Sequence, residues 1–301
     1  KTRILIFVLI LTASASFAQQ DAQFTQYMYN TINVNPAYAG SRGVMSIFGL
    51  HRTQWVGLDG APVTNALSLN TPINNSNIGI GLSAINDRIG PTVENTLSVD
   101  VSYTVQTSET YKLSFGVKGT GNFFNLDASK LNPLVDNDPS LVNYNKFSPN
   151  VGAGVYLHSD KSYIGVSVPN FIQSNRYDSD NVAIFKERIN YYLIAGHVFD
   201  LNPNIKFKPA LLTKLVTGSP LQVDVSGNFM FYEKFVIGAA YRWDAAVSAL
   251  AGFQITDGLY IGYGYDMETT KLRKYNSGSH EVFLRFELFN NYNKIISPRF
   301  F

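Results

Sequence analysis

The chain has 301 residues, 45% of them hydrophobic and only 15% charged, with 18 Tyr, 21 Phe, 23 Gly and no Cys. The missing Cys excludes a disulfide scaffold and a thiolate zinc site, the apolar and aromatic content argues against disorder, and no apolar run reaches the ~18 residues of a transmembrane helix. The formal net charge of +2 falls to zero without Lys1 and Arg3. Because the remaining chain has no excess of basic residues, nucleic acid is not expected as a partner.

The first residues have the layout of a secretory leader. Lys1 and Arg3 precede an apolar run over 4–11, and small residues lead to Ala18. This predicts a signal peptide over 1–18, cleaved after Ala18. An anchor helix is the alternative, but such a run rises only about 12 Å where the hydrocarbon is about 30 Å thick. No Cys follows the cleavage site, which excludes a lipoprotein.

Period-2 alternation of apolar and polar residues recurs along the rest of the chain and predicts fourteen strands. The first, second and eighth segments alternate less cleanly, so their facing stays open. The predicted spans are 43–53, 62–72, 77–86, 92–105, 111–126, 149–158, 162–169, 188–199, 204–214, 220–231, 235–243, 246–255, 259–267 and 280–289.

The clearest strands separate the two kinds of residue completely. In 92–105, Leu97 and Val101 share one face, while Ser98 and Asp100 share the other. A soluble sandwich would also alternate in this way. However, the number of strands and their length, often 9–11 residues, suit tilted membrane crossings.

The connections sort by length. If the chain starts on the periplasmic side, the connections on that side are all short, and the long connections lie on the opposite side. This is typical of bacterial outer-membrane barrels, and an even strand number returns both termini to one rim. We therefore predict a single all-β transmembrane antiparallel barrel over 43–290, with non-strand segments 19–42 and 291–301 on the periplasmic side. The long connections are 127–148, 170–187 and 268–279.

The polar faces would line a lumen of mixed charge. If Val105 pairs with Tyr111, Asp100 lies diagonal to Lys118 and within ion-pair reach. Inward glycines leave room for a plug, a ligand or water, or permit strand curvature. Side chains alone cannot fill so wide a barrel, so 19–42 and the long loops are candidates to occupy it. The predicted lumen charges are Asp100, Lys112, Lys118, Lys206, Lys208, Lys214, Asp224, Arg242, Glu281, Arg285 and Glu287.

Motifs for catalysis or metal binding are weak. The four histidines are far apart in sequence and lack metal-ligand spacing, and no Gly-x-Ser-x-Gly elbow occurs. The glycines at 116–121 do not open a helix, so they do not predict a nucleotide site. Acidic triplets at 136–138 and 178–180 could bind calcium, but solvated loop residues explain them more simply. We expect no enzymatic activity, no metal and no cofactor.

Several motifs resemble a known family. QFTQYM at 23–28, NPAYAGSR at 35–42 and QWVGLDGAP at 54–62 are similar to the start of the PorP/SprF family. So are NDRIGP at 86–91, LSFG at 113–116, GSHE at 278–281 and SPRFF at 297–301. The family usually has Tyr where this chain has Phe300, which is a conservative departure.

The resemblance implies an outer-membrane barrel of the type IX secretion and gliding machinery of Bacteroidetes. Family members help to export or surface-anchor particular cargo proteins, often adhesins with a C-terminal sorting domain. Some are tied to periplasmic or lipoprotein components of that machinery. We hypothesise that 19–42 and 291–301 plug the lumen or contact such partners, although they could merely cap the rim. With Trp55 of the third motif, the candidate residues are Gln26, Tyr27, Asn35, Pro36, Tyr38, Arg42, Arg299, Phe300 and Phe301.

Three functions compete at this point. A secretion component or anchor in contact with outer-membrane lipid would meet its client through the long loops, where Tyr144, Phe147, Phe171 and Tyr177 are candidate aromatic contacts. A passive diffusion porin would use the mixed-charge lumen. A barrel-embedded hydrolase would need Ser and His brought together across strands.

Overall fold

The computed structural model describes residues 27–74, 76–131, 142–173 and 188–288. They form one antiparallel sheet in which each strand pairs with the next along the chain, apart from the interruption noted below. The strands are β1 (Met45–Thr53), β2 (Val63–Pro72), β3 (Ile78–Ile89), β4 (Thr92–Gln106), β5 (Lys112–Leu126), β6 (Tyr144–His158), β7 (Ser162–Val168), β8 (Asn190–His197), β9 (Phe199–Asn202), β10 (Ile205–Val216), β11 (Gln222–Phe231), β12 (Phe235–Arg242), β13 (Ala246–Thr256), β14 (Leu259–Glu268) and β15 (Ser279–Leu288).

The sheet closes on itself. β15 pairs with β1 from Leu288 opposite Met45 to His280 opposite Thr53, and β10 pairs with β11. β8 and β9 both pair with β10 and are separated only at Val198, so together they count as one interrupted strand of the barrel. With β8 and β9 counted as one, the described residues form a closed barrel of fourteen strands, which confirms the predicted fold class.

The apolar face of the barrel points outward. On β4, Leu97 is 54% exposed and Val99 51%, whereas Ser98 is 8% exposed and Asp100 0%. A soluble sandwich would bury its apolar face in a dry middle. This inverted burial is what a membrane barrel needs, because its outside contacts lipid and its inside is polar.

The two ends of the barrel differ in their connections. One end, the short-turn rim, has the connections 73–77, 107–111, 159–161, 203–204, 232–234 and 257–258, together with the start of β1 and the end of β15. The other end, the long-loop rim, has 54–62, 90–91, 127–143, 169–189, 217–221, 243–245 and 269–278. The sorting of long connections to one rim agrees with the prediction.

Two details of the strand prediction were wrong. β6 begins at Tyr144 rather than at 149, because its pairing with β5 continues to Leu126 opposite Tyr144. Tyr144 and Phe147 are therefore strand residues and not loop residues. Val105 pairs with Leu113 rather than with Tyr111, since β4 continues to Gln106 and the five-residue turn is shifted by one position.

In the described part of the chain, helical structure is limited to short 3-10 turns. They span Thr31–Asn33, Pro36–Tyr38, Ala128–Lys130 and Lys271–Lys274. Among the described residues, no helix is long and apolar enough to cross a membrane.

Candidate functional site

The interior of the barrel holds residues 27–42, called the luminal segment below. Ile32 is 1% exposed and Ala37 is 0% exposed. Asn35 caps the second 3-10 turn, since its side-chain oxygen accepts from the Ala37 amide at 3.0 Å. Pro36 suits the first position of that turn, because its ring fixes φ and its missing N–H needs no partner there. The segment therefore carries local order of its own.

Glycines of the surrounding strands let the segment approach closely. A Cβ at Gly116 of β5 would overlap the peptide between Pro36 and Ala37. A Cβ at Gly154 of β6 would overlap the side chain of Asn35. Inward strand glycines permit such approach of another backbone. At these positions the chain itself occupies the space that the glycines were expected to leave.

Hydroxyl groups of the wall satisfy carbonyls of the luminal segment. Ser102 Oγ donates to the Ala39 carbonyl at 2.7 Å, and Ser167 Oγ donates to the Val34 carbonyl at 2.8 Å. A buried carbonyl left without a partner would cost about 1–3 kcal/mol. Because the segment is mostly irregular, these wall hydroxyls replace the partners that a helix or sheet would provide.

Two longer side chains fix the depth of the segment. Lys118 Nζ donates to the Ile32 carbonyl at 3.2 Å and lies 3.2 Å from Asp100 Oδ1. Asn35 Nδ2 donates to the Val155 carbonyl of β6 at 3.0 Å. The predicted proximity of Asp100 and Lys118 is present, although the two residues are directly opposite rather than diagonal.

On the other side of the lumen, aromatic rings hold the segment. The Tyr29 ring centre lies 4.8 Å from that of Phe283 and 5.6 Å from that of Tyr260. The Tyr29 and Tyr260 hydroxyls are 3.2 Å apart. The Arg285 guanidinium lies 4.8 Å from the centre of the Tyr260 ring. Such stacks contribute about 0.5–1.5 kcal/mol each beyond area burial, and the cation adds an attraction to the ring face.

An arginine ties the C-terminal end of the segment to the closing strand. Arg42 Nε donates to Glu287 Oε1 at 2.6 Å, and a second guanidinium nitrogen contacts the same oxygen. Arg42 Nη1 also donates to the Tyr38 hydroxyl at 3.2 Å. Arg285 Nε lies 3.5 Å from the same carboxylate. The segment is thus anchored beside the short-turn rim, where β15 ends.

A second buried arginine, Arg52, forms ion pairs with two carboxylates near the long-loop rim. Arg52 contacts Asp266 Oδ2 at 2.6 Å and Glu281 Oε2 at 3.0 Å, with all three side chains at most 3% exposed. The predicted lumen charges missed Arg52 and Asp266. Phe48 and Leu50 share the inward face of β1 with Arg52, so the alternation of β1 was obscured. Asp266 shares the inward face of β14 with Gly264, so the alternation of that strand could have identified Asp266 as a lumen charge.

The structure places the predicted lumen charges on inward-facing strand positions, but not all of them in the interior. Arg242 and Asp224 form an ion pair at 2.7 Å. Lys206 lies at the short-turn rim, 2.9 Å from Glu233, and Lys112 is exposed at the same rim. The deeply buried members are Asp100, Lys118, Lys208, Lys214, Asp224, Glu281 and Arg285.

The structure brings together most of the described candidates for plug or partner contact. Tyr27, Asn35, Pro36, Tyr38 and Arg42 are all buried in the lumen. Trp55 is not among them. It lies at the long-loop rim, where its indole nitrogen donates to Glu268 at 2.9 Å.

The candidate client contacts lie apart from the luminal segment. Phe147 is 56% exposed on the outer face of β6, with its ring centre 5.0 Å from that of Phe123. Tyr144 has the opposite facing and packs edge-on against Phe124 at 6.4 Å. Phe171, in the connection after β7, is 46% exposed.

Some predicted features fall outside the described residues. They are the leader 1–18, the tail 291–301, the acidic triplets 136–138 and 178–180, Gln26, Tyr177, Arg299, Phe300 and Phe301. Within the described ranges, no group of three or more His, Cys, Asp or Glu side chains is placed to hold a metal ion.

Comparison with known proteins gives a family and a fold. The family model for the type IX secretion system membrane protein PorP/SprF matches residues 16–286. No curated protein matches the chain. The solved CymD monoaromatic hydrocarbon channel has a TM-score of 0.50 at 11% identity, covering 89% of this chain and 94% of that one. A Pseudomonas aeruginosa FadL homologue has a TM-score of 0.43 at 13% identity, covering 93% and 97%. The likeness to CymD shows an outer-membrane barrel fold.

Proposed function

Because the chain belongs to the PorP/SprF family of type IX secretion system membrane proteins, we propose that it helps to export or surface-anchor a particular cargo protein. The cargo would be one such as an adhesin with a C-terminal sorting domain. The short-turn rim would face the periplasm and its secretion partners, including lipoproteins. The long-loop rim would face outward, and 1–18 would be a cleaved leader. The proposal gives the protein no catalytic role.

The filled lumen is the observation that carries the proposal. The luminal segment is held by hydrogen bonds from β4 to β7, by rings on β14 and β15, and by Glu287. A segment fixed at so many points would block free diffusion along the axis. The protein would then act through its two rims, as an anchor or adaptor, rather than through a pore.

The long-loop rim offers a surface suited to a client. β4, β5 and β6 each have 15 residues, longer than the ~9–11 that a membrane crossing needs. Their ends would extend beyond the bilayer on this side of the barrel. Phe147 and Phe171 expose aromatic rings there, and aromatic residues are enriched among the contacts that dominate protein interfaces.

A diffusion porin is the second candidate. The mixed charges of the lumen and the likeness of the fold to a channel favour it, whereas the buried luminal segment opposes it. Planar-bilayer recordings of the purified full-length protein separate the two. We expect no large stable conductance, and a persistent open channel would favour the porin.

Capture of cargo from native envelopes tests the main proposal. Affinity-tagged wild-type protein should retain a surface adhesin and periplasmic components of the secretion machinery, identified by mass spectrometry. The F147S/F171S variant should retain at least about tenfold less adhesin, the effect of losing an interface contact worth about 1.4 kcal/mol or more. W243S is the matched control, since Trp243 is equally exposed at the long-loop rim between β12 and β13. Recovery of neither adhesin nor secretion components by the wild type would contradict the proposal.

A further inference from the structure

A row of polar side chains crosses the outside of the barrel on four neighbouring strands. This polar row consists of His51, Asn65, Asn86 and Asn95, which lie opposite one another on β1 to β4. His51 Nδ1 is 2.8 Å from Asn65 Oδ1, Asn65 Nδ2 donates to Asn86 Oδ1 at 3.5 Å, and Asn86 Nδ2 donates to Asn95 Oδ1 at 2.8 Å. The row is therefore continuous across the four strands.

The polar row interrupts the apolar outer face on the side of the long-loop rim. The three asparagines share their strand faces with exposed apolar residues such as Leu67, Leu82 and Leu97. Amides without water or another polar partner are costly among acyl chains, so the row fits the depth of lipid headgroups. Toward the short-turn rim, the next outward residues are Gly49, Leu67, Ala84 and Leu97.

One arginine and a further histidine accompany the row. Arg88 is exposed and is the next outward residue beyond Asn86 on β3. On β15, His280 lies opposite Thr53 and places its Nδ1 2.6 Å from the Tyr263 hydroxyl.

The connection between β14 and β15 adds further positive charge. Its 3-10 turn, Lys271–Lys274, carries three exposed cations, and it joins β14 to the strand that pairs with β1. Two carboxylates near this face accept hydrogen bonds: Asp87 from Thr64 at 2.5 Å, and Glu268 from Trp55 at 2.9 Å. A third, Asp59, is exposed in the connection between β1 and β2. Arg88 and the three cations of the turn outnumber this exposed carboxylate, so the face is suited to an anion.

We propose that the polar row and Arg88 form a binding site for the phosphorylated glucosamine headgroup of an outer-leaflet glycolipid, the lipid A part of lipopolysaccharide. The amides of the row would hydrogen-bond to the sugar and acyl-amide groups, and the cations would meet the phosphates. The acyl chains would lie along the apolar face beside Leu67, Leu82 and Leu97. The inference rests on the proposed function only in placing the long-loop rim on the outer side of the membrane.

Native mass spectrometry of the full-length protein tests the site. Delipidated protein in detergent is mixed with bis-phosphorylated lipid A or with phosphatidylglycerol at equal phosphate concentration. We expect lipid A to bind at least about tenfold more tightly than phosphatidylglycerol, a difference of about 1.4 kcal/mol. Equal binding of the two lipids would overturn the proposal, because the site would then read charge alone. Equal binding of dephosphorylated lipid A would also overturn it.

Variants locate the site on the barrel. N65L/N86L and, separately, R88Q should each weaken lipid A binding about tenfold while leaving heat-modifiable migration of the folded barrel unchanged. T213L is the matched control, because Thr213 is an outward polar residue on β10, outside the four strands of the row. If R88Q and N65L/N86L bind lipid A like the wild type, the proposal is wrong. Loss of adhesin capture with unchanged lipid binding would instead assign this face to a protein. Since lipid binding is measured without cargo, its outcome is separate from that of the anchoring proposal.

Discussion

The wall from β3 to β7 and the wall from β10 to β15 both contact the luminal segment, but they do so with different groups. The first wall mainly uses glycines and hydroxyls, as at Gly116 and Ser102, so the backbone of the segment lies directly on the strands. Lys118 and the Tyr156 ring also contact the segment from this side. The second wall uses rings and ions, as at Phe283 and Glu287. Close backbone approach tolerates no added atom, whereas side-chain packing can readjust in part. The first wall should therefore be the more sensitive to substitution.

The largest expected effect is at the glycine wall. In G116V the new side chain would overlap the peptide between Pro36 and Ala37. Because backbone atoms leave little room to relax, the cost should exceed the ~1–3 kcal/mol of typical overpacking. Since the segment can leave the wall more easily than a barrel strand can, we expect the segment to be displaced. Planar-bilayer recordings should then show a conductance that the wild type lacks.

Gly119 provides the matched control for that variant. It is on the same strand but faces outward, and a Cβ there would have nothing within 4 Å. G119V should remain closed. A closed G116V barrel, or an equally conductive G119V barrel, would contradict the comparison between the walls.

The next largest effect is expected at the aromatic wall. Y29A removes the ring that packs on Phe283 and Tyr260, and truncation of a buried aromatic residue costs about 3 kcal/mol. Hydrogen exchange of the luminal segment should accelerate accordingly, while exchange in β4 stays slow. Y29F, which keeps the ring, should lie close to the wild type. Equal acceleration in Y29A and Y29F would show that the hydroxyl contact, not the packing, holds this end.

A smaller effect is expected at the rim. E287Q keeps the shape of the side chain but removes the charge that faces Arg42, which should cost about 2 kcal/mol since the pair is mostly buried. We expect protease cleavage near Arg42 to become faster in the purified barrel, where the short-turn rim is accessible. E233Q, at an exposed ion pair with Lys206 on the same rim, should change cleavage little. Identical cleavage in E287Q and the wild type would show that the ion pair between Arg42 and Glu287 does not anchor the segment.

The smallest effect is expected from a single hydroxyl. S102A removes the donor to the Ala39 carbonyl and should loosen the segment by about 1 kcal/mol. Hydrogen exchange near Ala39 should rise about fivefold. S98A is the control, because Ser98 bonds to Thr120 of the neighbouring strand and not to the segment. Equal changes in the two variants would mean that exchange reports wall stability instead.

Much of the fold could be predicted because alternation and connection length are local signals. In β4, Leu97 and Asp100 indicate the apolar and the polar face without reference to any other strand. The segment that occupies the lumen could not be identified from such local signals, because its contacts join distant parts of the chain. For example, Asn35 donates hydrogen bonds to the carbonyls of Val155 and Val166. Inward glycines predicted space, but they carry no information about which segment fills it.

The open facing of β1 and the misplaced start of β6 have the same origin. Phe48 and Leu50 face inward because they join the aromatic and aliphatic cluster around the luminal segment, so β1 loses the polar inner face that marks other strands. Phe147 was assigned to a loop because the extension of β6 depends on its pairing with β5. Both features depend on contacts between distant parts of the chain.

Disulfide trapping in the native outer membrane tests most directly whether the segment lies in the lumen. The chain has no Cys, so an introduced pair reports only its own contact. Ser68 Oγ donates to Asn30 Oδ1 at 2.8 Å, and the N30C/S68C variant should form an intramolecular disulfide on mild oxidation. N30C/S248C, which uses an inward serine of β13, should not. Failure of N30C/S68C to cross-link, or equal cross-linking in both variants, would contradict a segment fixed in the lumen.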